Sequence, residues 1–252
     1  MQDKYVGDIG DYGKFGLLRH LFPSPRWRLG IIWYLVPNEA EKKDGRHIDY
    51  LENPKVWKQY DPVVFDELKR VVDSNRRWVS DIDMKRLFGT KPVCYVTRLK
   101  FGPADSEEGR LQRRQDRKQW IAGAVEAVKD CNAIFLDPDN GVEAPSVDRH
   151  AKEGPKFAYV DEIATLASQE RVCVVYHHLG KDRPHQDTMR RVALQLRDGM
   201  ERNGFLTVLR FGCISCRAYF ILATQQTKDE IAKRIKEFLQ TSWNRCFEMV
   251  EV

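Results

Sequence analysis

No stretch of this 252-residue chain approaches the ~18–20 consecutive apolar residues that a membrane-crossing helix needs, so no such span is expected. Met1-Gln-Asp-Lys-Tyr5 lacks a basic segment followed by an apolar one, so no secretory leader is expected at this end. Repeats, low-complexity tracts and linker-like stretches are also missing, which argues for one domain over 1–252. The glycines fit neither a phosphate-binding P-loop nor the dinucleotide fingerprint. Cysteine is sparse, at six residues. Cys213 and Cys216 have the spacing of a zinc knuckle, but no second short-spaced pair exists to complete a structural zinc site. Scattered as they are, the cysteines are expected to be reduced thiols in a cytoplasmic protein. What the chain does have is 42% hydrophobic and 31% charged residues, enough apolar material for a full core.

The most informative stretch is Ala133-Ile-Phe-Leu-Asp-Pro-Asp-Asn-Gly-Val-Glu143. Four apolar residues predict a short strand buried on both faces, as in a parallel sheet. Pro138 cannot donate to a sheet ladder and Gly141 permits a tight reversal, so the strand stops at Asp137. Open α/β sheets place ligands outside the carboxyl ends of their strands, where Asp137, Asp139 and Asn140 would be delivered. The plainer reading is a polar turn, but a turn does not need two carboxylates, an amide and a following Glu143.

Further apolar runs at 29–36, 92–97 and 171–176 predict strands of the same sheet, and 205–211 and 217–223 predict a late pair. Helices are expected over 61–72, 81–88, 113–128, 187–203 (with Gly204 as its cap) and 228–239, with a short one near Asp161. The alternation predicts a doubly wound, mostly parallel α/β sheet, Rossmann-like, with a helical insertion over 53–92. The strands at 30–36, 133–136 and 172–176 should lie parallel in one layer.

Three further groups of residues carry candidate chemistry. Gly7-Asp-Ile-Gly-Asp11-Tyr-Gly-Lys14-Phe-Gly16 holds four glycines in ten residues, which predicts a glycine-rich loop opening a helix. Such a loop offers N–H groups to an anion or a cofactor carboxylate, while Asp11 alternatively just caps the helix. Arg110, Arg113, Arg114, Arg117 and Lys118 stand against one Asp116, with Asp105, Glu107 and Glu108 marking the helix start. They form either a solvated helix face or a track for a phosphate backbone. After the strand at 171–176 come His177 and His178, which point to opposite faces if extended, so at most one faces a pocket. Together with Asp137, Asp139 and Glu143, a histidine completes a set able to hold a hard divalent ion such as magnesium.

The chain resembles the S-adenosylmethionine-dependent methyltransferases, most nearly the bacterial adenine-N6 methyltransferases of large-subunit ribosomal RNA. The resemblance rests on the Gly7–Lys14 segment, on Ile31-Ile-Trp-Tyr-Leu35 in the place of a first strand, on Arg46–Leu51 in the place of a short helix, and on Ile134-Phe-Leu-Asp137-Pro138. That last run is similar to the opening of the family's Asp-Pro-Pro-Tyr motif. The resemblance implies a methyltransferase fold, with Gly7, Asp11, Lys14, Asn38 and Glu39 binding S-adenosylmethionine. Asp137, followed by Asp139 and Asn140, would orient a base amino group. Two departures are plain. Pro37–Gly45 replaces the family's glycine-rich loop, and Asp139-Asn140 stand where it has Pro-Tyr, the tyrosine being the ring that stacks on a flipped base.

Three functions follow as expectations: methylation of a nucleic-acid amino group, magnesium-dependent phosphodiester cleavage, or nucleic-acid binding without catalysis. Cleavage would use Asp137, Asp139 and Glu143 for the metal and a histidine such as His177, or Lys181, for the phosphate charge.

Overall fold

The computed structural model describes residues 1–39, 45–103, 106–167, 171–180, 183–199 and 205–252. In chain order its elements are α1 (Ile9–Leu21), β1 (Leu29–Ile32), α2 (Pro54–Trp57), α3 (Pro62–Asp73), α4 (Met84–Phe88), β2 (Val93–Tyr95), α5 (Glu107–Ala127), β3 (Ala133–Leu136), β4 (Gly141–Val142), β5 (Phe157–Ala158), α6 (Val160–Ala167), β6 (Val172–His178), α7 (His185–Gly199), β7 (Phe205–Phe211), β8 (Arg217–Ala223), α8 (Lys228–Phe238) and β9 (Phe247–Val250). Seven strands form one sheet in the order β2-β1-β3-β6-β8-β7-β9, and β4 pairs with β5 apart from it.

The three central apolar runs lie side by side and parallel, as expected: Leu29 is opposite Ala133, and Ala133 is opposite Val172. β2 adds parallel to β1, whereas β8 runs antiparallel between β6 and β7. From β1 the chain moves out to β2, then returns to β3 on the opposite side of β1. That reversal makes the gap between the carboxyl ends of β1 and β3 the topological switch point, where open α/β sheets hold their ligands.

Alternation along the strands divides the core in two. Ile31, Trp33, Phe135, Val174 and Tyr219 pack under α1, α3, α4 and α8. Ile32, Ile134, Leu136, Cys173 and Phe220 pack under α5, α6 and α7. Each central strand is therefore buried on both faces, which is why it reads as an unbroken apolar run. The helices at 53–92 pack into the first of these layers rather than standing apart from it.

Several expectations are corrected. The Gly7–Gly16 stretch is not a loop, because the helix already begins at Ile9 with Asp8 as its N-cap. Gly10, Gly13 and Gly16 share one helix face, three residues apart, and let α1 lie close on the sheet end. A Cβ at Gly13 would sit 2.7 Å from the Phe211 ring, and one at Gly16 2.3 Å from that of Trp243. β1 stops at Ile32, since Tyr34 takes φ 41°, but Trp33–Val36 stay joined to Tyr95 and Met1 through backbone bonds. α5 starts at Glu107 on the Ser106 hydroxyl, where the acidic residues mark the helix start and six residues before its apolar pattern begins at 113. Cys213 and Cys246 form a disulfide, against the expectation of six reduced thiols; Cys94, Cys131, Cys173 and Cys216 are free. β9 had no anticipated counterpart. The Gly204 cap and Asp105 lie outside the described residues.

The glycine stripe makes a direct prediction. Gly16→Ala forces a methyl into Trp243, which is itself buried and stacked on Phe238. Overpacking of this kind costs about 1–3 kcal/mol, more than the ~1 kcal/mol that alanine gains in helix propensity. Denaturant unfolding of Gly13→Ala and Gly16→Ala should show lower stability than wild type, the opposite of what a glycine-to-alanine change does in a free helix.

Candidate functional site

At the switch point a cavity of about 370 Å³ opens between α1, the segment after β1, the β3–β4 turn and the ends of β6 and β8. Its floor is a buried ionic cluster. Lys14 Nζ lies 2.7 Å from Asp11 Oδ1 and 2.8 Å from Asp137 Oδ2, with all three side chains almost fully buried. The Lys14 ammonium also sits 4.8 Å from the centre of the Trp33 ring. The i,i+3 spacing on α1 brings Asp11 and Lys14 together, and the end of β3 brings Asp137 to them.

Burial alone would depress the Lys14 pKa, but Asp11 and then Asp137 outweigh it, and it lies above the ordinary lysine value. For Asp11 burial is the largest influence and raises its pKa; Lys14 opposes this and Asp137 adds to it. Two carboxylates sharing one ammonium leave the floor with a negative excess. Asp11 Oδ2 also accepts from the Gly7 amide, so its task goes beyond capping.

Around the floor the remaining charges are held in pairs. Gln2 donates to Asp139 Oδ2 at 2.9 Å and to Glu39 Oε2 at 3.3 Å. The Met1 amine approaches Asp139 Oδ1 at 3.6 Å and donates to the Tyr34 carbonyl at 3.0 Å. No hydrogen-bond donor among the described residues reaches that buried Oδ1. Glu39 pairs with Lys156 at 2.5 Å, and Arg217 with Asp8 at 2.7 Å. Arg46, His47, Tyr176, His178 and Asn140 complete the wall.

Of the residues expected at a site, Asp11, Lys14, Glu39, Asp137, Asp139 and Asn140 line this one cavity. Gly7 and Asn38 do not: a Cβ at Gly7 would meet Val72, and Asn38 accepts from the Lys4 amide. The two histidines part to opposite faces of the strand, yet both line a cavity, against the expectation that at most one faces a pocket. His178 faces the cavity, whereas His177 is buried beneath the β3–β4 turn, its Nδ1 accepting from the Val142 amide at 3.0 Å. Burial, then Arg191 and His178, hold its pKa down to about 3, so it is a neutral turn support at physiological pH.

The magnesium set is spread over separate tasks. Asp137 is held by Lys14, Asp139 by Gln2, and Glu143 accepts from the Val160 amide at the start of α6. Among the described residues no three His, Cys, Asp or Glu side chains converge on a point that could hold a metal. Lys181 lies outside the described residues.

The basic run on α5 is likewise divided. Arg110, Arg114 and Lys118 are exposed, and Arg113 bonds the Gly102 and His150 carbonyls. Arg117, against expectation, is only 2% exposed. It forms a bidentate pair with Glu162, at 2.8 and 2.6 Å, and caps the Gly154 and Phe157 carbonyls. It is a core tie rather than part of a solvated face.

No family model, no curated protein and no solved structure matches this chain. The chemistry must come from the cavity itself. Its walls carry both charge signs over a net negative floor, which suits a ligand bearing a cation and hydroxyls. Asp137 Oδ1 meets no donor among the described residues, so it is an acceptor turned toward the cavity while Oδ2 stays fixed. Gln2, Lys156, Tyr176 and Arg217 were not singled out from sequence. Each reaches the site through a partner far along the chain, and none sits in a recognisable motif.

Two predictions follow from this geometry. Lys14→Met leaves two buried carboxylates without their shared cation, and should cost about 3–5 kcal/mol in denaturant unfolding. His177 tests the pH dependence. Below pH 6.5 the unfolded chain takes a proton that the native imidazole refuses down to about pH 3. Its contribution to stability is therefore complete above 6.5 and falls by about 1.4 kcal/mol per unit as the pH drops toward 3. Replacing His177 by Gln should flatten the pH–stability curve across that window, whatever it does to stability at neutral pH.

Proposed function

We propose that this chain is a nucleic-acid-acting methyltransferase that binds S-adenosylmethionine in the switch-point cavity and directs a base amino group with Asp137. The observation that carries the reading is the half-occupied Asp137 carboxylate: Oδ2 locked on Lys14, Oδ1 facing a cavity at the carboxyl ends of parallel strands.

The residues present fit such a cofactor. The cavity is within the usual size range of small-molecule sites. Its negative floor complements a sulfonium cation, and Asp139 lines the cavity beside Asp137. Asp11, Lys14, Glu39 and Asp139 would hold the cofactor, which supplies an electrophilic methyl group when bound. Asp137 would accept a hydrogen bond from the amino group and fix its lone pair toward that methyl. Lys14 keeps Asp137 in one rotamer, so the acceptor is ready before substrate arrives. Asn140, on the same turn, stands in wall contact with whatever base enters.

Nucleic acid as the substrate class is supported by Arg110, Arg114 and Lys118. They lie in the first half of α5, a crossover helix that runs back from the edge of the sheet where the cavity opens. Arg113 is partly engaged by carbonyls and Arg117 is not offered as a contact. The cytoplasm is the proposed place of action on the ground of four free thiols, Cys94, Cys131, Cys173 and Cys216, against the single Cys213–Cys246 disulfide.

Calorimetric titration decides the matter. Wild type should bind one S-adenosylmethionine, with or without magnesium. Asp137→Ala should still bind the cofactor, more weakly because the floor loses its negative excess, and should lose methyl transfer to bacterial RNA or DNA by about a hundredfold or more. Binding of magnesium chloride without binding of S-adenosylmethionine would sink this reading in favour of phosphodiester cleavage.

A further inference from the structure

Beside the switch-point cavity lies a second one, of about 660 Å³, on the far side of the β3–β4 turn. Asn140 and His178 line both, so the two cavities share a wall at the turn. Their chemistry differs sharply. The first has both charge signs; the second is lined by Arg183, Arg191, Ser146, Thr188 and His177, and no carboxylate lines it among the described residues.

The guanidiniums, the Ser146 hydroxyl and the His177 ring can each donate toward the cavity, whereas the Thr188 hydroxyl donates to the Pro184 carbonyl at 3.3 Å. Arg191 spends one nitrogen, Nη1, on the Gln195 side chain at 2.6 Å and the Glu143 carbonyl at 3.5 Å, leaving the rest of its guanidinium unused among the described residues. Arg183 is exposed at the mouth. Thr188 stands in the first turn of α7, whose amino end carries unpaired N–H groups and the positive end of the helix dipole. Asp187 shares that turn but points away from the cavity lining.

His177 is the independent observation. Its side chain is 5% exposed, and because Nδ1 accepts from the Val142 amide, the ring proton belongs on Nε2. Nε2 has no partner among the described residues, and the ring lines this cavity. A buried imidazole N–H, two guanidiniums and the Ser146 hydroxyl, around a space that no carboxylate lines among the described residues, make a receptor for a multiply charged oxyanion. The field agrees: Arg191 has its pKa lowered by burial and then by Arg183, a strain that a bound anion would relieve.

We propose that this second cavity is a phosphate-recognition subsite, holding a phosphodiester of a nucleic-acid strand while the neighbouring base enters the switch-point cavity past Asn140. The anion site stands on its own donors; its assignment to the strand that carries the methylated base rests on the proposed function.

The test uses the intact chain with three probes: inorganic phosphate, adenosine 5′-monophosphate and a fluorescent single-stranded 12-mer, with S-adenosylmethionine titrated in parallel. Arg183→Gln and Arg191→Gln should each weaken the 12-mer roughly tenfold or more, as expected for losing one charge-assisted hydrogen bond. Each should also reduce the salt slope by about 1 and leave S-adenosylmethionine affinity unchanged. Arg183 is exposed and needs no partner for folding, so its variant keeps the wild-type melting point and the result interpretable even where Arg191→Gln is destabilised. Wild-type 12-mer binding by both variants overturns the proposal. Loss confined to phosphate and the mononucleotide overturns the strand assignment and makes the pocket a nucleotide site. Loss of 12-mer binding in a protein that never binds S-adenosylmethionine upholds the subsite while refuting the methyltransferase reading.

Discussion

One ammonium between two carboxylates holds this structure in register. Lys14 joins α1 to the end of β3, and Asp11 beside it ties α1 to the Gly7 amide. Neither charge could be buried alone, since moving a single carboxylate or ammonium out of water costs several kcal/mol even after relaxation. The helix must therefore arrive at the sheet with a fixed rotation, and the glycine face provides the clearance to do so. Electrostatics sets the rotation and the missing side chains allow the approach. A larger residue at 13 or 16 would lift α1 off Phe211 or Trp243 and pull Lys14 out of reach of Asp137.

The same coupling explains how a polar site survives in the centre of an apolar fold. Strand ends at the switch point leave a space that no helix covers, and the chain fills its rim with pairs: Asp8 with Arg217, Glu39 with Lys156, Asp139 with Gln2. Fully satisfied networks of this kind rigidify their surroundings. The unsatisfied atoms then stand out against them: one oxygen each on Asp137 and Asp139 in the first cavity, and the donors of His177 and Arg191 in the second. The turn at 137–142 is the wall between two spaces of different character, both charge signs on one side and no carboxylate on the other among the described residues. Gly141 makes that thinness possible, at φ 111°, with no room for a Cβ over His177.

Much of this was legible in the sequence. Runs such as Ala133–Leu136 and Val172–Val175 are apolar without alternation because both faces are covered, and this alone places them in a parallel centre. The polar residues that end them had to fall at the carboxyl edge, which brought Asp137, Asp139 and Asn140 to the cavity. The N-terminal glycines misled because a three-residue glycine period is equally the mark of a flexible loop and of a helix face pressed on a sheet. Only the depth of the aromatics opposite distinguishes these, and they lie some two hundred residues away. Arg117 was misplaced for a similar reason: its neighbours are exposed arginines, while its partner Glu162 sits on another helix. The pairing of Cys213 with Cys246 was equally hidden, since CxxC spacing draws attention to Cys216 instead.

The Asp8–Arg217 bridge joins groups 209 positions apart in the chain, across the mouth of the site. An enzyme-like pocket closed by its earliest and latest segments cannot exist on a growing polypeptide. While the first strands are already able to pair, α1 has neither Phe211 nor Trp243 to rest on, and Lys14 waits beside an unfinished sheet. Contacts of such long sequence separation are slow to form, and synthesis proceeds at about 5–20 residues per second. The cavity thus takes its final shape only once β8, with Arg217, and the segment that carries Trp243 have been made.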